Sequence, residues 1–157
     1  KMAIQVGQKA PDFTLFDSDK NEVTLSALKG KNVLLLFYPL AFTGTCTKEV
    51  CSVRDNMEVY NNANADVLGI SIDNVFIQDR FKKEHNLQFP LLSDFNKETI
   101  KAYDIVHDTF AFGMKEVGKR SAFVIDKEGT VQYAEVLDNP SELPDFEAIN
   151  TCLAGLK

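Results

Sequence analysis

Two cysteines five positions apart are the residues of this chain best suited to chemistry. Cys46 and Cys51 follow an apolar run, Val33–Tyr38, then Pro39 and a turn of small residues. A strand that leads through a turn to a cysteine at a helix start makes the thiol reactive, because the free amide groups of the first helical turn favour the thiolate. The spacing therefore predicts a thiol nucleophile at Cys46.

Thr43 is predicted to cap this helix. Its hydroxyl would accept a hydrogen bond from the amide of Cys46, three residues later. A helix start stabilises a negative charge by about 0.3–1 kcal/mol, whereas holding a thiol ionised at slightly acidic pH needs roughly 3.4 kcal/mol. A cation is therefore expected beside Cys46. Arg120 is the candidate, because it directly precedes an apolar strand and its planar, permanently charged fork can hold several oxygens.

Hydrophobic periodicity predicts the elements that position these side chains. The run Val33–Tyr38 predicts a buried central strand, and an apolar stripe predicts one amphipathic helix from Cys46 to the cluster Asn61–Asn64. The other predicted elements are a hairpin (13–16 and 22–25), a helical turn (25–29), a strand (67–72), a helix after 73–74, an extended piece (89–92), a helix (97–103), a hairpin (121–125 and 131–136) and a helix from about 144. Residues 104–119 are predicted to form a loop.

This order of elements predicts an α/β protein with a thioredoxin-like fold, in which an N-terminal β-hairpin extends a mixed central sheet flanked by helices. Strands joined through a helix pair in parallel by a right-handed crossover, whereas hairpin strands pair antiparallel. A chain of 157 residues can bury one core, so we expect a single domain over residues 2–157. Lys1, before Met2, is interpreted as a cloning remnant.

Composition limits the partners and the location. Acidic residues outnumber basic ones, 23 to 17, which argues against nucleic acid and anionic membranes as partners. The apolar run is too short to span a membrane, and the first residues lack a signal-peptide core, so a cytoplasmic location is expected. Three cysteines do not make a secreted disulfide framework, and no second ligand pair accompanies them, so neither zinc nor another metal is expected.

The candidate residues match a family pattern. Pro39, Thr43 and Cys46 fit Pro-x-x-x-Thr-x-x-Cys, and Arg120 begins the segment RSAFVID. With the opening GQKAPDFTL and the Asp-Lys-Glu-Gly hairpin, essentially the whole chain resembles the peroxiredoxins, which are thiol peroxidases with an elaborated thioredoxin fold. The resemblance is greatest to the branch that contains the bacterioferritin-comigratory (Q-type) enzymes and the AhpE-like enzymes.

The resemblance implies a role for each residue. Cys46 would be the peroxidatic cysteine, which attacks a hydroperoxide and becomes a sulfenic acid. Arg120 and Thr43 would hold the thiolate and the peroxide oxygens, and Pro39 would shield the pocket. Glu49 matches a family glutamate that orients the arginine. The oxidised enzyme would be reduced by a dithiol protein such as thioredoxin, and no cofactor is implied.

Cys51 lies at the spacing at which Q-type enzymes carry a resolving cysteine. At ~100° per residue it is about 140° around the helix from Cys46, on the side of Arg54, where a core-filling role fits poorly. Across five residues of intact helix the two Cα atoms are ~8.7 Å apart, beyond the ~7 Å limit for a disulfide. The first helical turn must therefore unwind before a Cys46–Cys51 disulfide forms. A bystander role for Cys51, with Cys152 or an external thiol as resolver, is the alternative.

Other functions are compatible with a reactive cysteine. A thioredoxin-type disulfide oxidoreductase is one, although such enzymes use Cys-x-x-Cys; a non-enzymatic redox sensor is another. Without its neighbours Cys46 would be interpreted as a core residue, since it lies on the apolar stripe. Phe42, Phe110 and Phe112 either cover the core or form a homodimer contact, because the resembled family pairs subunits through loops around the active site.

Overall fold

The computed structural model describes residues 3–156, so Lys1, Met2 and Lys157 lie outside the described part of the chain. The strands are β1 (Thr14–Asp17), β2 (Glu22–Thr24), β3 (Asn32–Phe37), β4 (Ala65–Ser71), β5 (Leu91–Ser93), β6 (Val106–Thr109), β7 (Lys115–Gly118), β8 (Ser121–Ile125) and β9 (Val131–Val136). The helices are α1 (Gly44–Asp55), α2 (Met57–Asn62), α3 (Val75–Glu84), α4 (Glu98–Ala102) and α5 (Phe146–Gly155).

Seven strands form one mixed sheet in the order β2-β1-β5-β4-β3-β8-β9. Strands β3, β4 and β5 pair in parallel, because α1 with α2, and then α3, connect them as crossovers. The hairpins β1–β2 and β8–β9 are antiparallel and extend the sheet at its two ends. The predicted thioredoxin-like layout, including the N-terminal hairpin extension, is confirmed.

Every residue of β3 is buried, as expected for a central strand that is covered on both faces. Alternate side chains enter two separate cores: Leu34 and Leu36 on one face, Leu35 and Phe37 on the other. Helices α1, α2, α3 and α5 contribute to the first core, and Ile100 of α4 contributes to the second. The continuous apolar run in the sequence thus results from burial between two helical layers.

The prediction of one helix from Cys46 to the Asn61–Asn64 cluster is wrong. The helix is interrupted at Asn56, whose backbone leaves the helical region at φ −123° and ψ 22°. The Asn56 side chain donates to the carbonyl of Ser52 at 2.8 Å, and such local bonds compete with the helical ladder. Tyr60 remains buried beyond the break, so the apolar stripe continues even though the helix does not.

The predicted loop over residues 104–119 contains a small antiparallel sheet, formed by β6 and β7. Both strands are short and carry exposed polar side chains, which hides the alternation that identifies a strand. Between them a turn leaves Phe112 fully exposed, so of the two alternatives for this side chain the one in which it covers the core is wrong. Phe42 is 45% exposed and packs its ring 5.0 Å from that of Phe81.

Within residues 3–156, none of the helices combines the length and the apolar character that crossing a lipid bilayer would require.

Candidate active site

The loop between β3 and α1 delivers Cys46 to its position. Pro39 is buried directly beyond the end of the strand, and Phe42 then takes a left-handed backbone conformation with φ +67°. Thr43 is extended and precedes the first residue of α1, so Cys46 is the third residue of the helix. The Cys46 side chain is completely buried, at the level where the apolar stripe of α1 meets the sheet.

Thr43 is the N-cap residue, as predicted, but its side chain does not cap the helix. The hydroxyl donates to the carbonyl of Leu40 at 3.0 Å, and no side-chain bond reaches the first-turn amide groups. The predicted hydrogen bond from the Cys46 amide to Thr43 is therefore wrong. The Thr43 hydroxyl points back into the loop. The amide groups of the first helical turn, which contains Cys46, therefore receive no hydrogen bond from it.

Arg120 reaches Cys46 through the register of the sheet. Strand β8 pairs antiparallel with β3, and Ser121 lies opposite Phe37, so Arg120 emerges at the sheet edge where β3 leads into the cysteine loop. Both terminal nitrogens of Arg120, Nη1 and Nη2, lie 3.4 Å from Cys46 Sγ. The predicted proximity of this arginine to the thiol is confirmed.

Glu49 shares the same guanidinium. Its Oε1 accepts from Arg120 Nη1 at 2.5 Å, and the side chains of both residues are buried. Glu49 lies three residues after Cys46, so both side chains project from the same face of α1 toward the arginine. The backbone carbonyl of Pro140 accepts from Arg120 Nη2 at 3.0 Å and holds the other side of the fork.

Burial and ion pairing act against each other in this group. Burial raises the pKa of Glu49 to about 7, although the charge and hydrogen bond of Arg120 oppose that rise. Burial also disfavours the charged form of Arg120, but Glu49 and Cys46 outweigh it and raise the pKa of the guanidinium. Arg120 therefore stays cationic, and it supplies the positive charge that the helix start alone could not.

Cys51 lies about 1.4 turns further along α1 and is a free thiol, as are Cys46 and Cys152. It is half-buried and packs against the first core, so the prediction that Cys51 would avoid the core is wrong. Helix α1 is continuous between Cys46 and Cys51, which keeps the two thiols on different parts of its surface. Cys152 lies half-buried on α5, and burial raises the pKa of its thiol.

Two contributors to the site escaped the sequence analysis. The Pro140 carbonyl is a backbone group, so the residue type gives no indication that it accepts a hydrogen bond from Arg120. Asp73 was predicted only to open a helix, yet its carboxylate accepts from the Ala41 amide in the cysteine loop at 2.7 Å. A polar residue directly after a buried parallel strand was the available signal, because the ends of neighbouring parallel strands meet at one sheet edge.

Larger surface cavities lie elsewhere. The most spacious one described, about 680 Å³, is lined by residues of β1, α4 and the loop between β5 and α4, among them Phe16 and Phe95. None of the side chains around Cys46 contributes to its wall. This cavity therefore gives no access to Cys46, whose side chain is completely buried.

A family model, sequence relatives and solved structures all match this chain. Residues 6–134 match the model of the AhpC/TSA family. A putative peroxiredoxin bcp from Coxiella burnetii is 44% identical over 83% of this chain and 87% of its own length. The crystal structure of peroxidoxin BcpB from Mycobacterium tuberculosis superposes with a TM-score of 0.86 at 28% identity, covering 100% of this chain and 99% of that one.

A second solved structure carries information on substrate. The bacterioferritin comigratory protein of Xanthomonas campestris, described for its alkyl peroxide reduction activity, has a TM-score of 0.80 at 27% identity and covers 90% of each chain. With the family match over most of the chain and a thiol held by an arginine fork at a helix start, the chain belongs to the AhpC/TSA family and is a peroxiredoxin, a thiol peroxidase similar to the Bcp, Q-type and AhpE-like enzymes.

Proposed function

We propose that Cys46 is the peroxidatic cysteine of this thiol peroxidase. The contact of both Arg120 terminal nitrogens with Cys46 Sγ carries the proposal, because two charge-assisted hydrogen bonds favour the thiolate over the thiol. A hydrogen bond to a charged group contributes roughly 1.5–3 kcal/mol. These two bonds and the amide groups of the helix start all favour the charged form of the sulfur.

In the first step the Cys46 thiolate attacks the terminal oxygen of a hydroperoxide. A sulfur–oxygen bond forms, the oxygen–oxygen bond breaks, and the alkoxide or hydroxide leaves with a proton from solvent as alcohol or water. Cys46 becomes a sulfenic acid, and the peroxide gains two electrons. Arg120 already contacts the sulfur, so its fork is in place to stabilise the charge that moves toward the leaving oxygen.

The surrounding residues take supporting parts in this proposal. Glu49 and the Pro140 carbonyl hold the two ends of the Arg120 fork, which fixes the plane of the guanidinium at the sulfur. The Thr43 hydroxyl donates its hydrogen bond to the Leu40 carbonyl, so its oxygen is free to accept a hydrogen bond from a bound hydroperoxide. Pro39 is buried beside the loop and excludes water from this side of the pocket.

Cys51 is proposed as the resolving cysteine. Its sulfur would attack the sulfur of the Cys46 sulfenic acid; a Cys46–Cys51 disulfide forms, the sulfur–oxygen bond breaks, and the hydroxide leaves as water with the proton of the Cys51 thiol. Because α1 is continuous between the two residues, its first turn must unwind before this step. A dithiol protein such as thioredoxin would then return both cysteines to thiols, and it would be oxidised to a disulfide in exchange.

The substrate is proposed to be hydrogen peroxide, an alkyl hydroperoxide, or both. The X. campestris relative reduces alkyl peroxides, and the fold and family are shared. A homodimer contact through the exposed Phe112 and the partly exposed Phe42 is a further proposal, supported by the 100% and 45% exposure of these apolar side chains.

Matched cysteine variants test the proposal. The Cys46→Ser protein should lose peroxide consumption, while the Cys152→Ser protein should keep it. Cys51→Ser should still form the sulfenic acid, trapped with dimedone, but no intramolecular disulfide should appear in its peptide map. Peroxide consumption by Cys46→Ser at the wild-type rate would refute the role of Cys46, and a normal turnover rate of Cys51→Ser with thioredoxin would refute resolution by Cys51.

A further inference from the structure

A buried hydrogen-bond network connects the cysteine loop to the start of α3. Asp73 Oδ2 accepts from the Ala41 amide at 2.7 Å and from the Ser71 hydroxyl at 2.6 Å. Gln78 donates to the same Ser71 oxygen at 3.0 Å and accepts from the Tyr38 hydroxyl at 2.6 Å. Tyr38, Ser71 and Gln78 are almost completely buried and Asp73 is half-buried, so the network extends from the interior of the fold toward its surface.

The backbone of the loop between β3 and α1 is strained, so contacts from other parts of the fold must stabilise it. Phe42 has φ +67°, a conformation that is costly for a residue other than glycine and persists only where its surroundings impose it. The adjacent Ala41 is largely buried, and the Asp73 carboxylate is the acceptor that its amide has within residues 3–156. The ring of Phe42 rests on Phe81 of α3, which is the second fixed point of the same turn.

We propose that Asp73 is a positioning residue that holds the Cys46 turn in its helical form and thereby limits how readily the first turn of α1 unwinds. The inference rests on the proposed function, in which unwinding is required for the Cys46–Cys51 disulfide. The carboxylate touches neither cysteine. It acts through the hydrogen bond from the Ala41 amide. Because Ala41 lies only two residues before the N-cap Thr43, unwinding of the helix start should strain or break this hydrogen bond.

Removal of the carboxylate should therefore affect the two chemical steps differently. The peroxide step uses the folded turn, so Asp73→Ala should leave its rate constant unchanged or lower it. The disulfide step draws on the unwound form, which is a minor population. Loss of one hydrogen bond to a charged acceptor should raise that population, and hence the rate constant of disulfide formation, by about tenfold.

The experiment follows both steps in full-length protein that carries Cys152→Ser. The chain has no tryptophan, so acid quench after mixing with peroxide, followed by mass spectrometry, measures the sulfenic acid and the disulfide. Asp73→Asn retains an oxygen for the Ala41 amide and should stay within about threefold of the parent protein. Asp79→Ala on α3, which removes only a partly exposed pair with Lys83, should match the parent protein.

A disulfide step accelerated about tenfold in Asp73→Ala, with Asp73→Asn near the parent protein, supports the proposal. An unchanged disulfide step overturns it, and so does a parallel fall of both steps, which is what a merely structural role would produce. If the parent protein itself forms no sulfenic acid or no disulfide, the proposed function fails and not only this inference.

A second measurement does not depend on the folding of any variant. In the reduced wild-type protein the Ala41 amide should exchange with deuterium slowly, as measured by NMR. The neighbouring Phe42 amide has no acceptor among residues 3–156 and serves as the internal reference. Exchange of the Ala41 amide as fast as that of Phe42 would show that Asp73 does not hold the loop, and would overturn the inference.

Discussion

Replacing Glu49 by glutamine is expected to change how the stability of the protein depends on pH. Glu49 is fully buried against Arg120, and burial raises its pKa from 4.5 to about 7. Glutamine has nearly the same shape and keeps an oxygen toward Arg120 Nη1, but it cannot ionise. The substitution therefore removes the titration of this site and leaves the hydrogen bond.

The size and direction of the effect follow from proton linkage. A carboxyl whose pKa is raised by folding stabilises the folded state below its unfolded pKa, and this contribution is lost as the pH rises through the folded value. For Glu49 this window extends from 4.5 to about 7. At about 1.36 kcal/mol for each pH unit, the loss amounts to about 3 kcal/mol. Relative to its parent, the Glu49→Gln variant should gain that much unfolding free energy across the window.

Urea unfolding followed by circular dichroism at several pH values measures this difference. Both proteins carry Cys46→Ser, so that no thiol at the site titrates during the comparison. Glu22→Gln is the matched control, because Glu22 is exposed on the edge strand β2. Its stability difference from the parent should not change with pH.

A difference between Glu49→Gln and its parent that is independent of pH would refute the reasoning. It would mean that the Arg120 charge offsets the burial of Glu49, so that folding leaves the pKa of this carboxyl unchanged. The conclusion that burial outweighs the ion pair would then be wrong. In contrast, Glu49→Ala should destabilise the protein by about 3–5 kcal/mol above the window, because it leaves the buried Arg120 charge without its partner.

The remaining predictions concern the arginine fork, the packing of the sheet and the third cysteine. Arg120→Lys should lower the rate of peroxide reaction about 10- to 100-fold in a peroxide-competition assay, because one ammonium group cannot hold both Glu49 and Cys46 as the fork does; an unchanged rate would contradict this. Gly69→Ala should lower the unfolding free energy by about 1–3 kcal/mol in urea, since a Cβ atom there would lie 2.7 Å from Leu91 Cδ2. In a Cys46→Ser/Cys51→Ser protein, burial raises the pKa of Cys152, so iodoacetamide should label the folded form at mildly alkaline pH more slowly than the urea-unfolded form; equal rates would speak against it.

Much of the fold could be predicted from local patterns, because burial leaves a period in the sequence. The apolar run of β3 and the two hairpins follow directly from hydrophobic alternation and turn residues. The break at Asn56 could not be predicted in this way. An asparagine side chain competes for a backbone carbonyl there, while the apolar stripe continues across the interruption. The strands β6 and β7 escaped prediction because mostly exposed strands carry no apolar alternation.

For the site, the sequence by itself determined which residue types are available: a cysteine at a helix start, a threonine before it, and an arginine at the mouth of a later strand. The tertiary structure decided which of them touch. The register between β3 and β8 brings Arg120 to Cys46, and Glu49 joins them because it lies nearly one helical turn further along α1. The fold also ties the Ala41 amide to Asp73, 32 residues later. The sequence gives the type of each residue directly. The contacts of the site join positions up to 74 residues apart, so they depend on how the sheet packs.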